Sequence, residues 1–106
     1  MSRYQGSANV SNANPHQNSR VTVYGILALL ENHLGHGVPG ERMVTTWHFK
    51  SRNSQCSAIT GDNGKAECSR DIGRATKGYT VFIDVAFVAV DTGHILDEAK
   101  VSFTPV

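Results

Sequence analysis

The sequence has no apolar run near the roughly 20 residues that a membrane-spanning helix requires. It also lacks an excess of either charge, since ten Lys and Arg residues face nine Asp and Glu residues for a formal net charge of +1. We therefore expect no membrane insertion and no nucleic-acid partner, because nucleic acids are bound through basic surfaces. The first residues, M-S-R-Y-Q, lack the apolar segment of a signal peptide.

Cysteine is scarce, and the two that occur, Cys56 and Cys68, flank the turn sequence G-D-N-G at residues 61–64. Asx-Gly pairs suit the positive φ angles of tight hairpin turns. A three-residue loop with Gly64 in the left-handed conformation closes a hairpin that places both cysteines on one face, within reach of a disulfide. Such a bond indicates an oxidising compartment and a piece of a larger secreted protein; a cytosolic protein with two free thiols is the alternative.

Apolar and polar residues alternate over residues 43–49, 79–88 and 99–103, the period of half-buried strands. With residues 21–25 and the cysteine segment, this pattern predicts about seven strands separated by turn signals, which is typical of an antiparallel β-sandwich. The predicted class is all-β. The predicted core contains Trp47, Phe49, Val81, Ile83, Val85, Val101 and Phe103.

The composition divides the chain in two. Residues 1–19 are rich in Ser, Asn and Gln and are expected to be a flexible linker or an irregular N-terminal edge, with a short strand around residues 8–11 as the alternative. Residues 20–106 are expected to form the sandwich domain. Within it, residues 26–34 fit either a strand that continues from residues 21–25 or a short helix ended by Gly35. We prefer the strand because no breaker interrupts the run.

Three motifs occur in a characteristic order: G-H-G-V-P-G before the tryptophan strand, then I-T-G-D-N-G-K-A, then K-G-Y-T-V. Over residues 21–106 this series resembles bacterial immunoglobulin-like domains, the kind found in adhesins and appended to secreted proteins. The resemblance implies an immunoglobulin-like Greek-key sandwich, with Gly78 and Tyr79 at the start of a tyrosine corner. The disulfide is expected to differ from that of immunoglobulin domains proper, because cysteines so close in sequence point to one hairpin or adjacent strands rather than two sheets.

The resemblance also implies a role. We expect a non-catalytic module, secreted or at the cell surface, that acts as a structural spacer or as a protein-interaction or adhesion unit. A carbohydrate-binding module accessory to a secreted hydrolase is the alternative. The expected partners are neighbouring domains of the parent chain and a surface protein or polysaccharide, and the isolated domain is expected to be a monomer without cofactors.

A binding face is predicted from Tyr24, His48 and Phe82, which the alternation places outward. Exposed aromatic side chains suit sugar stacking and protein contacts. A planar row of rings on one face would favour carbohydrate, whereas a dispersed arrangement would favour the spacer. Burial beneath a second sheet or a neighbouring domain is the other interpretation of these residues.

Catalytic and metal sites are not expected. The histidines at positions 33, 36 and 48 could form an open zinc site, but the sequence places no carboxylate beside them as a partner. The acidic residues form no compact D-x-D-x-D-G calcium motif. The serines include no G-x-S-x-G motif, and each cysteine is accounted for by the other.

Overall fold

The structure is a computed structural model that describes residues 3–31 and 34–106. The described residues form eight strands in two antiparallel sheets, which confirms an all-β sandwich, and no helix among them could cross a membrane. The strands are β1 (Arg3–Val10), β2 (Arg20–Glu31), β3 (Leu34–Gly37), β4 (Arg42–His48), β5 (Asn53–Ile59), β6 (Lys65–Asp71), β7 (Val81–Val88) and β8 (Ile95–Phe103).

Strand β2 organises one sheet, here called sheet A. It pairs with β1 along one edge and with β6 and then β3 along the other. The second sheet, sheet B, has the order β5-β4-β7-β8. We call the end at which Arg3 pairs with Leu30 the upper end, and the end at which Val10 pairs with Val23 the lower end. The strand predicted from residue 26 onward is confirmed as far as residue 31, and residues 32 and 33 lie outside the described residues.

The core lies between the sheets and follows the predicted alternation. Five of the predicted core side chains are at most 1 % exposed, and the other two, Phe49 and Val101, are half-buried and pack against the edge of the core. The Trp47 ring stacks on Phe49 at a centroid distance of 6.2 Å and meets Phe103 edge-on at 5.9 Å. The fully buried predicted residues are Trp47, Val81, Ile83, Val85 and Phe103.

One polar pair is buried beside the tryptophan. The indole N–H of Trp47 donates a hydrogen bond to Thr45 Oγ1 at 2.9 Å, and this hydroxyl donates to the carbonyl oxygen of Cys56 at 2.9 Å. Both side chains are fully buried. Without this hydroxyl, the buried indole N–H would have no hydrogen-bond partner, which would lower the stability of the fold.

The disulfide between Cys56 and Cys68 is present, with the two Cα atoms 6.0 Å apart. The predicted hairpin around it is wrong. Strand β5 pairs with β4 in sheet B, whereas β6 pairs with β2 in sheet A, so the bond joins the two sheets. The expected difference from the inter-sheet bond of immunoglobulin domains is therefore also wrong.

The turn itself forms as predicted, but a third strand redirects it. Gly64 has a φ of 74°, and the Gly61 N–H donates to the Lys65 carbonyl at 2.9 Å. The Gly64 carbonyl then accepts a hydrogen bond of 2.8 Å from the Leu27 N–H of β2. Because this bond places the start of β6 on the edge of β2, the chain leaves sheet B at the turn and continues in sheet A.

The segment 1–19 differs from the expected linker or irregular edge. Residues 3–10 are strand β1, paired with β2 along its whole length. Beyond it, the Ser11 N–H donates to the Thr22 carbonyl, and the carbonyls of Ala13 and Pro15 accept hydrogen bonds from Thr104 and Val106. The polar residues of this segment therefore form a regular edge strand, followed by a connection that is hydrogen-bonded to the last residues of the chain.

Reducing the disulfide is expected to lower the free energy of unfolding by about 3 kcal/mol, the chain-entropy value for a closed loop of about 13 residues. A hairpin would reduce this effect by holding the reduced cysteines together, but β5 and β6 share no ladder. The melting temperature should fall by roughly 10–15 °C in thermal denaturation with and without reductant. A Cys56→Ala, Cys68→Ala variant should not respond to reductant. Two alkylated cysteines in unreduced protein would contradict the bond.

Replacing Thr45 with valine is expected to destabilise the fold by about 1–3 kcal/mol, because the buried Trp47 N–H loses its acceptor. The shape of the side chain is retained, so the cost reports the hydroxyl. A double-mutant cycle isolates the contact: in a Trp47→Phe background the same change should cost less, by about 1 kcal/mol in chemical denaturation. Equal costs in the two backgrounds would show that the Trp47–Thr45 bond does not contribute.

Candidate functional site

The three residues of the predicted binding face do not lie on one face. Tyr24 is on the outer face of sheet A and is 44 % exposed. His48 and Phe82 lie on the outer face of sheet B, where they are directly opposite each other on the adjacent strands β4 and β7. Phe82 is 58 % exposed. The arrangement is therefore dispersed and not the planar row that would favour carbohydrate.

His48 is the centre of a small polar cluster, here called the His48 cluster, with Asp84, Asn53 and Lys100. Its Nε2 lies 2.7 Å from Asp84 Oδ2, and its Nδ1 lies 3.2 Å from Asn53 Oδ1. The Lys100 ammonium is 4.0 Å from the other oxygen of Asp84. The expectation that no carboxylate accompanies the histidines is wrong for His48.

The strand register explains why these residues meet. Asn53 is opposite His48 on β5, and Asp84 is opposite Thr46 on β7, one diagonal step from His48 on the same face. Residues at such positions are close enough for side-chain contact. His48 and Asp84 are separated by 36 residues. The only sequence signal was their shared outward position on two strands whose pairing the sequence did not specify.

The His48–Asp84 pair is exposed, and both hydrogen-bond partners of the His48 ring belong to the protein. The pair of His48 and Asp84 is 38 % and 48 % exposed, respectively, and pairs this exposed contribute little to stability. Both ring nitrogens of His48 already face oxygen atoms of the protein. A histidine that activates a nucleophile directs one nitrogen at a hydroxyl or thiol, which His48 does not do here.

The histidines considered for zinc are not brought together. His36 is exposed on β3 at the upper end, His48 lies near the lower end of β4, and position 33 is outside the described residues. Across residues 3–31 and 34–106, no group of three His, Cys, Asp or Glu side chains could hold a metal ion. The two cysteines are bonded to each other.

The tyrosine corner implied by the resemblance does not form. Tyr79 lies before β7, is 38 % exposed, and uses its backbone N–H to donate to the Thr76 carbonyl at 3.2 Å. In the part of the chain that the structure describes, its phenol makes no hydrogen bond to upstream backbone. Tyr79 lines a groove at the lower end.

Comparison with protein families, curated proteins and solved structures gave no match to this chain.

Replacing Phe82 with serine is expected to change the free energy of unfolding by less than about 1 kcal/mol, since the ring is mostly exposed. The matched control is the next residue, Ile83, which is fully buried on the opposite face of β7. Ile83→Ser should cost more than about 3 kcal/mol, through the lost apolar contacts and a buried hydroxyl. Chemical denaturation of both variants tests this, and a comparable loss for Phe82→Ser would show that the ring supports the fold.

Proposed function

We propose that this chain is a non-catalytic, immunoglobulin-like module that serves as a structural spacer in a larger extracellular bacterial protein. The observation that carries the proposal is the position of its two ends. Strands β1 and β8 run in the same direction, from the upper to the lower end. The chain therefore enters beside Arg3 at the upper end and leaves at Val106, whose N–H donates to the Pro15 carbonyl at the lower end.

The shape of the molecule supports this role. Its principal extents are 45 × 25 × 19 Å. A twelve-residue strand such as β2 spans about 40 Å at about 3.3 Å per residue, so the long axis follows the strands. A longer polypeptide passing through this domain advances by nearly the whole length of the molecule. A spacer needs this property, because domains joined at opposite ends form an extended array.

The strand order supports the immunoglobulin-like part of the proposal. After β5 the chain crosses from sheet B to β6 beside β2, and after β6 it crosses back to β7 beside β4. Crossovers between sheets also occur in Greek-key sandwiches, which favours this part of the proposal. When the four-residue β3 is left out, β5 is the fourth strand of the chain. It lies beside β4, whereas the constant-type immunoglobulin arrangement places the fourth strand in the opposite sheet. Related sandwich domains differ in the position of this strand.

Two further observations support an extracellular location and a non-catalytic role. A disulfide is compatible with an extracellular location, because reducing compartments keep thiols unpaired. The engaged nitrogens of His48 favour a non-catalytic role. The carbohydrate-binding alternative drawn from exposed aromatics is not favoured, since Tyr24 and Phe82 occupy opposite outer faces.

Small-angle X-ray scattering of two copies joined in series tests the spacer role. With a short connection from Val106 of one copy to residue 3 of the next, the maximum dimension should approach twice the 45 Å length of one copy. The physical reason is that side-by-side packing requires the connection to return along the whole molecule. The same tandem with a long Gly/Ser linker is the control, and should give a broader distribution of distances.

A compact tandem, with a maximum dimension close to that of one copy, would contradict the spacer role. The single domain is measured in parallel to establish its own shape. A single domain that is elongated while the tandem is compact would show that the copies fold back on each other, so the failure would lie in the proposed role and not in the fold.

A further inference from the structure

A second surface lies at the lower end, away from the outer faces of the sheets. The segment after β4, the end of β6 and the segment after β6 border an open groove of about 370 Å³. Four cationic side chains line it: Lys50, Arg52, Arg70 and Arg74. We call this surface the basic groove.

The basic groove carries a net positive charge, because four cationic side chains face one carboxylate. Asp71 is the one acidic residue among those that line it, and its Oδ1 already accepts a hydrogen bond from the Gly73 N–H at 3.1 Å. Within the described residues, none of the four cations forms an ion pair. Positive charge is therefore concentrated at this end of a molecule whose net charge is only +1.

Arg70 provides a second, independent observation. Its Nε is buried from solvent and has no hydrogen-bond partner in the described part of the chain. Its Nη1 reaches the Gln55 carbonyl only at 3.5 Å, the outer limit of a hydrogen bond. A buried donor without a partner is costly, and the Nη groups, whose one contact in the described part of the chain is this long one, keep the capacity to donate to an incoming acceptor.

The groove also contains a ring and an apolar lining. Tyr79 is 38 % exposed there, and Ile72 and Val81 are buried beside it. Guanidinium groups bind carboxylate and sulfate oxygens through paired hydrogen bonds, and an aromatic face packs against the C–H face of a sugar ring. A chain of Asp or Glu residues offers the anions but no flat face for Tyr79.

We propose that the basic groove binds an acidic oligosaccharide, through carboxylates or sulfates on the four cations and a sugar ring on Tyr79. This inference does not depend on the spacer role, because the groove lies within one domain. Uronate and sulfate groups share the recognition chemistry, and separate probes distinguish them.

Isothermal titration of the whole chain tests the proposal with a short oligogalacturonate and a sulfated dextran fragment, against uncharged dextran and a short polyglutamate. At least one acidic sugar should bind, uncharged dextran should not, and polyglutamate should bind more weakly. Binding should weaken as salt is raised, since the attraction is between charges near the surface.

Matched variants locate the binding. Arg70→Gln with Arg74→Gln should weaken binding at least about tenfold, the loss expected from one or more charge-assisted hydrogen bonds. Arg70 is half-buried, so its replacement can also change the stability of the fold. Lys50→Gln with Arg52→Gln therefore supplies a second pair, in which both side chains are exposed. The control is Arg3→Gln with Arg42→Gln, which removes the same charge from exposed positions at the upper end and should change binding less than about twofold.

Tyr79→Leu separates sugar recognition from attraction to charge. It should weaken acidic-sugar binding by about threefold to tenfold, corresponding to a lost aromatic contact, and leave polyglutamate binding unchanged. The proposal is overturned if neither acidic sugar binds at millimolar concentration, or if the control pair reduces binding as much as the groove pairs. It is also overturned if polyglutamate binds as tightly as the sugars, which would assign the groove to an acidic peptide.

Discussion

The structure depends on a single constraint: sheets A and B must be held together at the side where β5 and β6 leave their edges unpaired. The Cys56–Cys68 bond does this covalently, and the hydrogen bond from Thr45 to the Cys56 carbonyl links the bond to the buried Trp47. On the opposite side, β1 lies against β8, where the Gly6 N–H donates to Asp97 Oδ2 at 2.6 Å. The two sides differ in kind, since one is closed by a covalent bond and the other by packing and a charge-assisted hydrogen bond.

The parts of the fold that could be predicted are those determined within a few residues. The alternation in β4, β7 and β8 identified the inward faces, and the Asx-Gly pair identified the turn at Gly64. What could not be predicted was whether the strands on either side of that turn pair with each other. The hydrogen bond from Leu27 to Gly64 decides this, and Leu27 is far away in sequence. A tight turn specifies a reversal of direction, but the strands that follow it take whichever partners complete both sheets.

Strand β1 is a second element that its own residues do not predict. Its inward positions include Gly6 and Ala8, which are too small to produce an apolar alternation, so the segment resembles a linker. The structure explains their size, because a Cβ atom at position 6 would overlap the ring of Phe87. The large side chain in sheet B requires a small residue opposite it in sheet A. Interdigitation of this kind is set by pairs of residues that are remote in sequence. The sequence of one strand does not reveal it without the strand that packs opposite.

The two surfaces likewise depend on residues that are remote from each other in sequence. The His48 cluster depends on the register of three strands, and the basic groove depends on two segments that each follow a different strand, so neither could be assembled from local spacing. The net charge of +1 did not indicate an anion-binding surface, because it is a sum over the whole chain and does not show that four cations lie at one end. That end is also where the chain leaves at Val106. In an extended array, the basic groove would face the junction with the next domain. The spacer role and the proposed binding role use the same end of the molecule and are compatible.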